Sequence, residues 1–407
     1  MNNKILDMSL ELNSIIGNLK TNKTHKNIQF YTGNYAEQIE KILSKACPFG
    51  KVATLYYNST YLELGQNFSN ALKTKGFKPL SIIMPDNFCN SVEDYSRLFT
   101  LPEDVRAIIT FDYDLNNAIK YFGAIKNIDA IHVLREFNEL EFISPKIVVK
   151  NEQALETLIL QCNQHVVLDE NLYNVSLPKI YAYVASKIVS LLDYRIYLKL
   201  SSKTPAKACY DLLNTAIDNA LTCFNQPIEN RNDYLLQCLF TAEIANRLSG
   251  GIIYEVGCED TVKRLLEKFE GYDRIVFLKY SLNLYKKYFS GEYEHLLEIP
   301  NYNERAYKLS KILKVDDKEL MQNLLAQIRT LTDSTDKKNS LKNSMLDQVI
   351  KAEKLVRQIS STYHALGGGG KESKNLKTSI YLAGDLKPTI NGMSFVRENG
   401  ILEFLEV

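Results

Sequence analysis

The chain has no tryptophan and only five histidines among its 407 residues. Its seven cysteines form no CxxC pair and are odd in number. That spacing excludes a zinc knuckle and a disulfide framework, and it fits a reducing, cytoplasmic setting. No window reaches the ~18 uncharged apolar residues of a membrane span. The opening stretch, MNNKILDMSLELNS, carries Asp7 and Glu11 inside its apolar pattern, so it reads as an amphipathic lead-in helix over residues 1–21 and not as a secretory signal. A formal net charge of +1 leaves no global field directed at nucleic acid or an anionic membrane. Glycine is missing between Thr110 and Phe122, and that absence weighs most.

What is present is an ordinary globular composition, with 45% hydrophobic and 24% charged residues. Its length allows two sizeable cores. The organising stretch is Val105 to Tyr121, VRAIITFDYDLNNAIKY. It reads as a buried strand that turns through Phe111-Asp112-Tyr113-Asp114 into a helix. Short apolar runs at 29–33, 51–57, 80–84, 105–110, 129–134, 146–149 and 165–169 alternate with helical patterns at 35–45, 60–75, 92–99 and 115–126. Gly76 stands where a helix C-cap would. This alternation predicts a parallel, doubly wound sheet over residues 1–170. A strand-turn-helix in such a sheet is where a nucleotide is held, usually on a glycine-rich turn whose N–H groups approach a pyrophosphate.

After Asp169 the strand signal stops. Ser176-Leu177-Pro178 resembles a helix start, and helical patterns follow at 179–200, 206–224, 231–248, 259–270, 274–290, 303–313, 316–331 and 341–364. Residues 171–407 therefore read as an all-α domain. The run GGGGKES imitates a phosphate loop and fails its pattern: Ala365 replaces the first glycine, Glu372 follows the lysine, and no strand precedes it. It reads as a linker.

Several stretches, in order, resemble the dehydroquinate synthase-like superfamily, which includes iron-containing alcohol dehydrogenases and glycerol-1-phosphate dehydrogenase. Phe111 to Asn117 stands in the place of a GSGTIND loop. Lys187 and Asp193-Tyr194-Arg195-Ile196 resemble the K…DWR stretch of a long helix. Gly257-Cys258-Glu259-Asp260 sits where the family has GAEH, and SFVRENGILEFL (394–405) resembles its closing helix. The resemblance implies an α/β, Rossmann-like N-terminal domain followed by an all-α C-terminal domain, with NAD(P) and zinc as the ancestral cofactor pair.

Carried over by position, the cofactor loop falls on Asp112, Asp114, Asn116 and Asn117. The three metal ligands fall on Tyr183, on Asp260 and, to within one residue, on Val276. One carboxylate, a phenol and a valine do not make a zinc site, which needs three or four N, S or O ligands. Two aromatic rings replace the small loop residues, and like charges ~4 Å from a pyrophosphate cost roughly 1–4 kcal/mol. The expectation is a catalytically degenerate relative of glycerol-1-phosphate dehydrogenase, retaining neither cofactor, with no catalytic residue assigned. It would act as a binding, regulatory or structural protein on an unknown small molecule or protein partner, and by resemblance as a homodimer. Two alternatives stay open. One is an active polyol-phosphate or cyclase-like enzyme using Tyr183 or Asp260 as acid or base; the other is a nicotinamide dehydrogenase with a rebuilt loop. His132 and His165 read as hydrogen-bonded structural residues, His295 as a surface residue and Cys258 as buried and inert. Glu255, Glu259 and Asp260 read as a helix N-terminal cluster, with a cation site as the alternative, and Arg247, Lys263 and Arg264 as exposed helix charges, with an anion-receiving cleft lining as the alternative.

Overall fold

The computed structural model describes residues 13–14, 28–48, 50–88, 90–135, 146–151, 154–160, 162–169, 177–201, 207–223, 226–258, 273–292, 302–313, 316–332, 337–369, 392 and 394–395. The chain divides into two compact units, Met1–Ser176 and Leu177–Val407.

In the first unit six strands form one sheet: β1 (Ile28–Thr32), β2 (Lys51–Tyr57), β3 (Lys78–Met84), β4 (Val105–Thr110), β5 (Asp129–Leu134) and β8 (Gln164–Leu168). Their spatial order is β1-β8-β5-β4-β2-β3, and every pairing is parallel. Helices α1 (Tyr35–Ala46), α2 (residues 58–74, π-helical over Tyr61–Gly65), α3 (Val92–Ser96) and α4 (Asn116–Lys126) connect them. Parallel strands need crossovers, and the helices cover both faces. On one face Ile39, Ile42 and Leu43 of α1 and Phe68 and Leu72 of α2 pack on Val52, Ile109, Ile131 and Val167. On the other, Tyr95 of α3 and Ala118, Ile119 and Phe122 of α4 pack on Ala53, Leu55 and Ile108. Strands buried on both faces read as continuous apolar runs, which is how VRAIIT and DAIHVL stand out in the sequence.

Lys146–Asn151 (β6) does not join this sheet. It pairs antiparallel with β7 (Ala154–Ile159), a strand absent from the sequence reading. Two residues separate them, too short a link for a parallel crossover and right for a hairpin. Of the expected lead-in helix only Asn13 and Ser14 are described. The Asn13 amide donates to the Phe30 carbonyl at 2.9 Å and accepts from the Phe30 N–H at 3.0 Å, which satisfies part of the exposed edge of β1. Gly76 has φ +88°, as its place at the end of α2 requires.

Asn127 closes α4 in the left-handed region (φ 52°), and Ile128 N–H bonds Gly123 O across the turn at 3.0 Å. Asparagine tolerates this conformation and β-branched residues do not. Asn127→Val is expected to lower stability by about 1–2 kcal/mol, whereas Asn127→Gly leaves it near the parent value. A comparison of urea midpoints checks both.

The described elements of the second unit are all helices: α5 (Leu177–Ser201), α6 (Lys207–Cys223), α7 (Ile228–Leu248), α8 (Ile252–Glu255), α9 (Arg274–Ser290), α10 (Tyr302–Leu313), α11 (Asp317–Thr332) and α12 (Lys337–Ala365). Helix α5 carries Pro178 in its first turn, where a missing N–H costs nothing. It is buried on every side, through Ile180, Tyr181, Val184, Ile188, Val189, Leu191 and Ile196. Such a helix is the centre of its unit, and α7, α9 and α12 pack around it. The glycine run is, in its described part, a helix terminator. Gly367 (φ +80°) ends α12, and Gly368 N–H returns to Tyr363 O at 2.8 Å. A Cβ at Gly368 would lie 2.4 Å from the Tyr363 ring, so a side chain there would have to displace that ring.

Arg247 is buried (3% exposed) and not the exposed helix charge its sequence position suggests. Residues 259–270 and 293–300, which carry an expected helix, Asp260, Lys263, Arg264 and His295, lie outside the described residues. Phe395 packs edge-on to Tyr288 at 5.0 Å, and the rest of the expected closing helix is outside the described residues as well. Among the described residues no helix is long and apolar enough to cross a membrane.

Candidate functional site

From β2 the chain crosses outward to β3, then returns to place β4 on the other side of β2. The crevice beyond the carboxyl ends of β2 and β4 is therefore the switch point of the sheet, the place where open α/β sheets hold ligands. A cavity of about 290 Å³ lies there, lined by Tyr57, Thr60, Glu63, Asp112, His132 and Arg135 among others.

The loop after β4 forms the floor of this cavity, and its polar groups face inward. One oxygen of the Asp112 carboxylate accepts the Tyr57 N–H at 2.9 Å, and the other accepts the Thr60 hydroxyl at 2.5 Å. The carboxylate thus ties the end of β4 to the end of β2. Arg135, just past β5, donates to the Thr60 oxygen at 3.1 Å and pairs with Glu63 on α2. Two backbone donors are engaged within the loop too: Asp112 N–H with the Thr110 hydroxyl at 3.1 Å, and Leu115 N–H with Asp112 O at 3.2 Å. Burial raises the Asp112 carboxyl above its ordinary value, against the opposing pull of Thr60, the Tyr57 N–H and Arg135.

Phe111 borders the cavity, but its ring is packed in the core. It is 2% exposed, stacked on Tyr56 and edge-on to Tyr35 and Phe68 in the core between sheet, α1 and α2. Tyr113 opens a short 3₁₀ turn (Tyr113–Leu115) and lines the cavity, and Asp114 is exposed at its mouth. Asn116 is buried, and its side-chain oxygen meets His132 Nδ1 at 3.0 Å. An amide oxygen only accepts, so Nδ1 carries the proton. Burial, with Lys120 nearby, pulls His132 down to about 3, and the ring is neutral at pH 7. Asn117 is half-buried in the first turn of α4. Of the four loop positions, Asp112 and Asn116 are thus committed to holding strands and helix together. Thr60 and Glu63 were missed in the sequence. The signal was a hydroxyl-rich turn, Asn58-Ser59-Thr60, at the end of β2 opposite an aspartate at the end of β4.

In the helical unit Tyr183 is half-buried on α5, and the Arg274 guanidinium lies 4.4 Å from its ring centroid. Arg274 opens α9 beside the cap residue Asp273, whose carboxylate accepts the N–H groups of Ile275 and Val276 at 2.8 and 3.2 Å. A cation over an aromatic face is a favourable contact. Tyr183 and Val276 are therefore neighbours of the same α9 terminus, with an arginine between them in sequence space and the third position, Asp260, outside the described residues. Cys258 is fully buried, and its N–H is held by Asp193 at 2.7 Å.

No protein-family model matches the chain, and no curated protein matches it in sequence. Solved structures do match in shape. A 1,3-propanediol oxidoreductase is 12% identical over 91% of this chain and 96% of its own, with a TM-score of 0.50. An alcohol dehydrogenase from Oenococcus oeni is 12% identical over 92% of this chain and 94% of its own, also at 0.50. An iron-containing alcohol dehydrogenase from Corynebacterium glutamicum is 12% identical over 92% and 94%, at 0.49. At such identities the likeness is one of architecture alone: a parallel six-stranded sheet followed by a helical part, the fold of the 1,3-propanediol oxidoreductase and of the Oenococcus oeni alcohol dehydrogenase.

Proposed function

We propose that this chain is a non-redox relative of these dehydrogenases, derived from a glycerol-1-phosphate dehydrogenase-like ancestor, which binds a small ligand or partner group without NAD(P) and without a catalytic metal. The observation that carries the reading is the inward turn of the loop after β4. The donors and small residues that would cradle a pyrophosphate are replaced by a carboxylate clamp, Asp112 to Tyr57 and Thr60, and by the core residue Phe111. The residues present do not fit a dinucleotide there. In the helical unit the two described positions offer a phenol, Tyr183, under the Arg274 guanidinium and an aliphatic side chain, Val276, donor chemistry that does not suit zinc. A divalent ion ~5 Å from the Arg274 guanidinium would meet a repulsion of roughly 2–7 kcal/mol.

The test is a thermal-shift titration of metal-stripped protein with NADH, NADPH and Zn²⁺, separately and together. A ligand at 100 times its dissociation constant stabilises the folded state by about 2.7 kcal/mol. The expected result is no saturable shift. A shift that requires dinucleotide and zinc together overturns the proposal and returns the chain to the polyol-phosphate oxidoreductases.

A further inference from the structure

The helical unit holds a second cavity, which the ancestral chemistry does not explain. It lies between α5, α6 and α12 and has a volume of about 490 Å³. That is within the ~300–1,000 Å³ of small-molecule sites, which pair an apolar body with a few placed polar groups. Its floor is apolar: Ile188 and Leu192 from α5, Ile217 from α6, Ala352 and Leu355 from α12. Its charged groups are Arg195, Lys351 and Lys354 against one carboxylate, Asp218, an excess of positive charge at one pocket of a nearly neutral protein.

Arg195 is the ordered element of this rim. One guanidinium nitrogen donates to Gln348 Oε1 on α12 and another to Asn214 Oδ1 on α6, the latter at 2.6 Å. Two of the bonds that fix this cation thus run from α5 to amide oxygens on α12 and α6. A guanidinium held this way is preorganised for a planar oxyanion and loses little entropy on binding it. Lys351 and Lys354 are exposed on long stems beside the opening, where they add attraction without fixed geometry.

We propose that this cavity is a binding site for an amphiphilic organic anion, an acyl or aryl carboxylate whose apolar body lies against Ile188, Leu192, Ile217 and Leu355 and whose head group meets Arg195. Apolar burial supplies the affinity, and the charges orient the ligand and exclude its neutral analogues. The site belongs wholly to the helical unit and stands independently of the reading of the crevice.

Octanoate, 1-octanol and inorganic phosphate, titrated into the full-length protein by isothermal calorimetry, separate the two halves of the claim. The expected result is saturable octanoate binding with a negative heat-capacity change, at least tenfold weaker binding of octanol, and no saturable phosphate binding. The double reversal Lys351→Glu/Lys354→Glu, at exposed positions, should weaken octanoate about tenfold and leave the melting temperature within a degree or two. Ile217→Trp should abolish binding by filling the cavity. Octanoate that fails to saturate, phosphate that binds as tightly as octanoate, or a charge-reversed variant with parent affinity would each overturn the proposal.

Discussion

Asp193→Ala is expected to destabilise the helical unit by about 3–5 kcal/mol, the loss seen when one partner of a buried charged network is removed. Asp193 is fully buried in the middle of α5. Its carboxylate accepts three bonds from parts of the chain far apart in sequence: the Tyr285 hydroxyl at 2.5 Å, Cys258 N–H at 2.7 Å and Gly392 N–H at 3.0 Å. Truncation leaves a phenol and two backbone donors without an acceptor in a dry interior. The fit leaves no slack, since a Cβ on Gly392 would come within 2.4 Å of an Asp193 oxygen. Gly392→Ala is therefore expected to damage the same junction. Burial outweighs these bonds and pushes the Asp193 carboxyl up to about 6 from 3.8.

That shift has a definite sign. The folded carboxyl keeps its proton up to about pH 6, while the unfolded one releases it near 3.8. Between those values the folded state binds more protons, so this group's contribution to stability rises as pH falls and is lost as pH climbs through 6. The full span is on the order of 3 kcal/mol. Asp129 acts in the opposite sense: burial raises it, but its bonds to His165 and Asn163 outweigh that and hold it below the ordinary value. Whole-protein pH profiles mix such terms, so the readout is the difference between parent and Asp193→Asn. The gap in unfolding free energy should widen in the parent's favour from pH 7 to pH 4. A constant gap would mean that Asp193 does not titrate in this range.

The parallel sheet was legible because its strands carry dense apolar runs and the first four crossovers a helical period. Strand β7 was not, because ALETLI offers weak alternation and no turn chemistry that distinguishes it from a loop. The resemblance singled out Asp193 within Asp193-Tyr194-Arg195, yet its partners lie 65, 92 and 199 residues away, and no local pattern announces a buried carboxylate. The loop after β4 was legible as an anomaly and misread in geometry. Absence of glycine was visible, but the direction of the side chains was not. Asp112 was expected to stand in the place of a cofactor loop, with a turn or cap role as the alternative, and Phe111 to fill the space of a pyrophosphate. Instead the carboxylate faces the end of β2, and the ring faces the core. Strand alternation explains the latter, since Phe111 continues the odd-numbered set Ala107 and Ile109 that packs on the α1 and α2 face.

Phe111→Ala follows from that placement, and its expected effect is a loss of about 3–5 kcal/mol in the first unit. The ring lies 5.9 Å from Tyr56 in a stacked pair and 5.4 and 5.1 Å from Tyr35 and Phe68 in edge-on pairs. Each such pair adds ~0.5–1.5 kcal/mol beyond its buried area. Hydrogen exchange should show the loss as faster exchange in β2, β4 and α1, because the chain has no tryptophan to report it by fluorescence. Phe111→Leu, which keeps an apolar side chain of moderate size, should recover most of the stability. The experiment also bears on the crevice. A glycine at residue 111 would return the smallest side chain to a dinucleotide loop, but only by removing a ring on which three helix and strand residues rest. Stability unchanged in Phe111→Ala would mean that the ring is not a core residue, and the loop would again be available as a cofactor site. A large loss means that the position has been taken over by the hydrophobic core, so that regaining a phosphate-binding turn would require compensating changes at Tyr35, Tyr56 or Phe68.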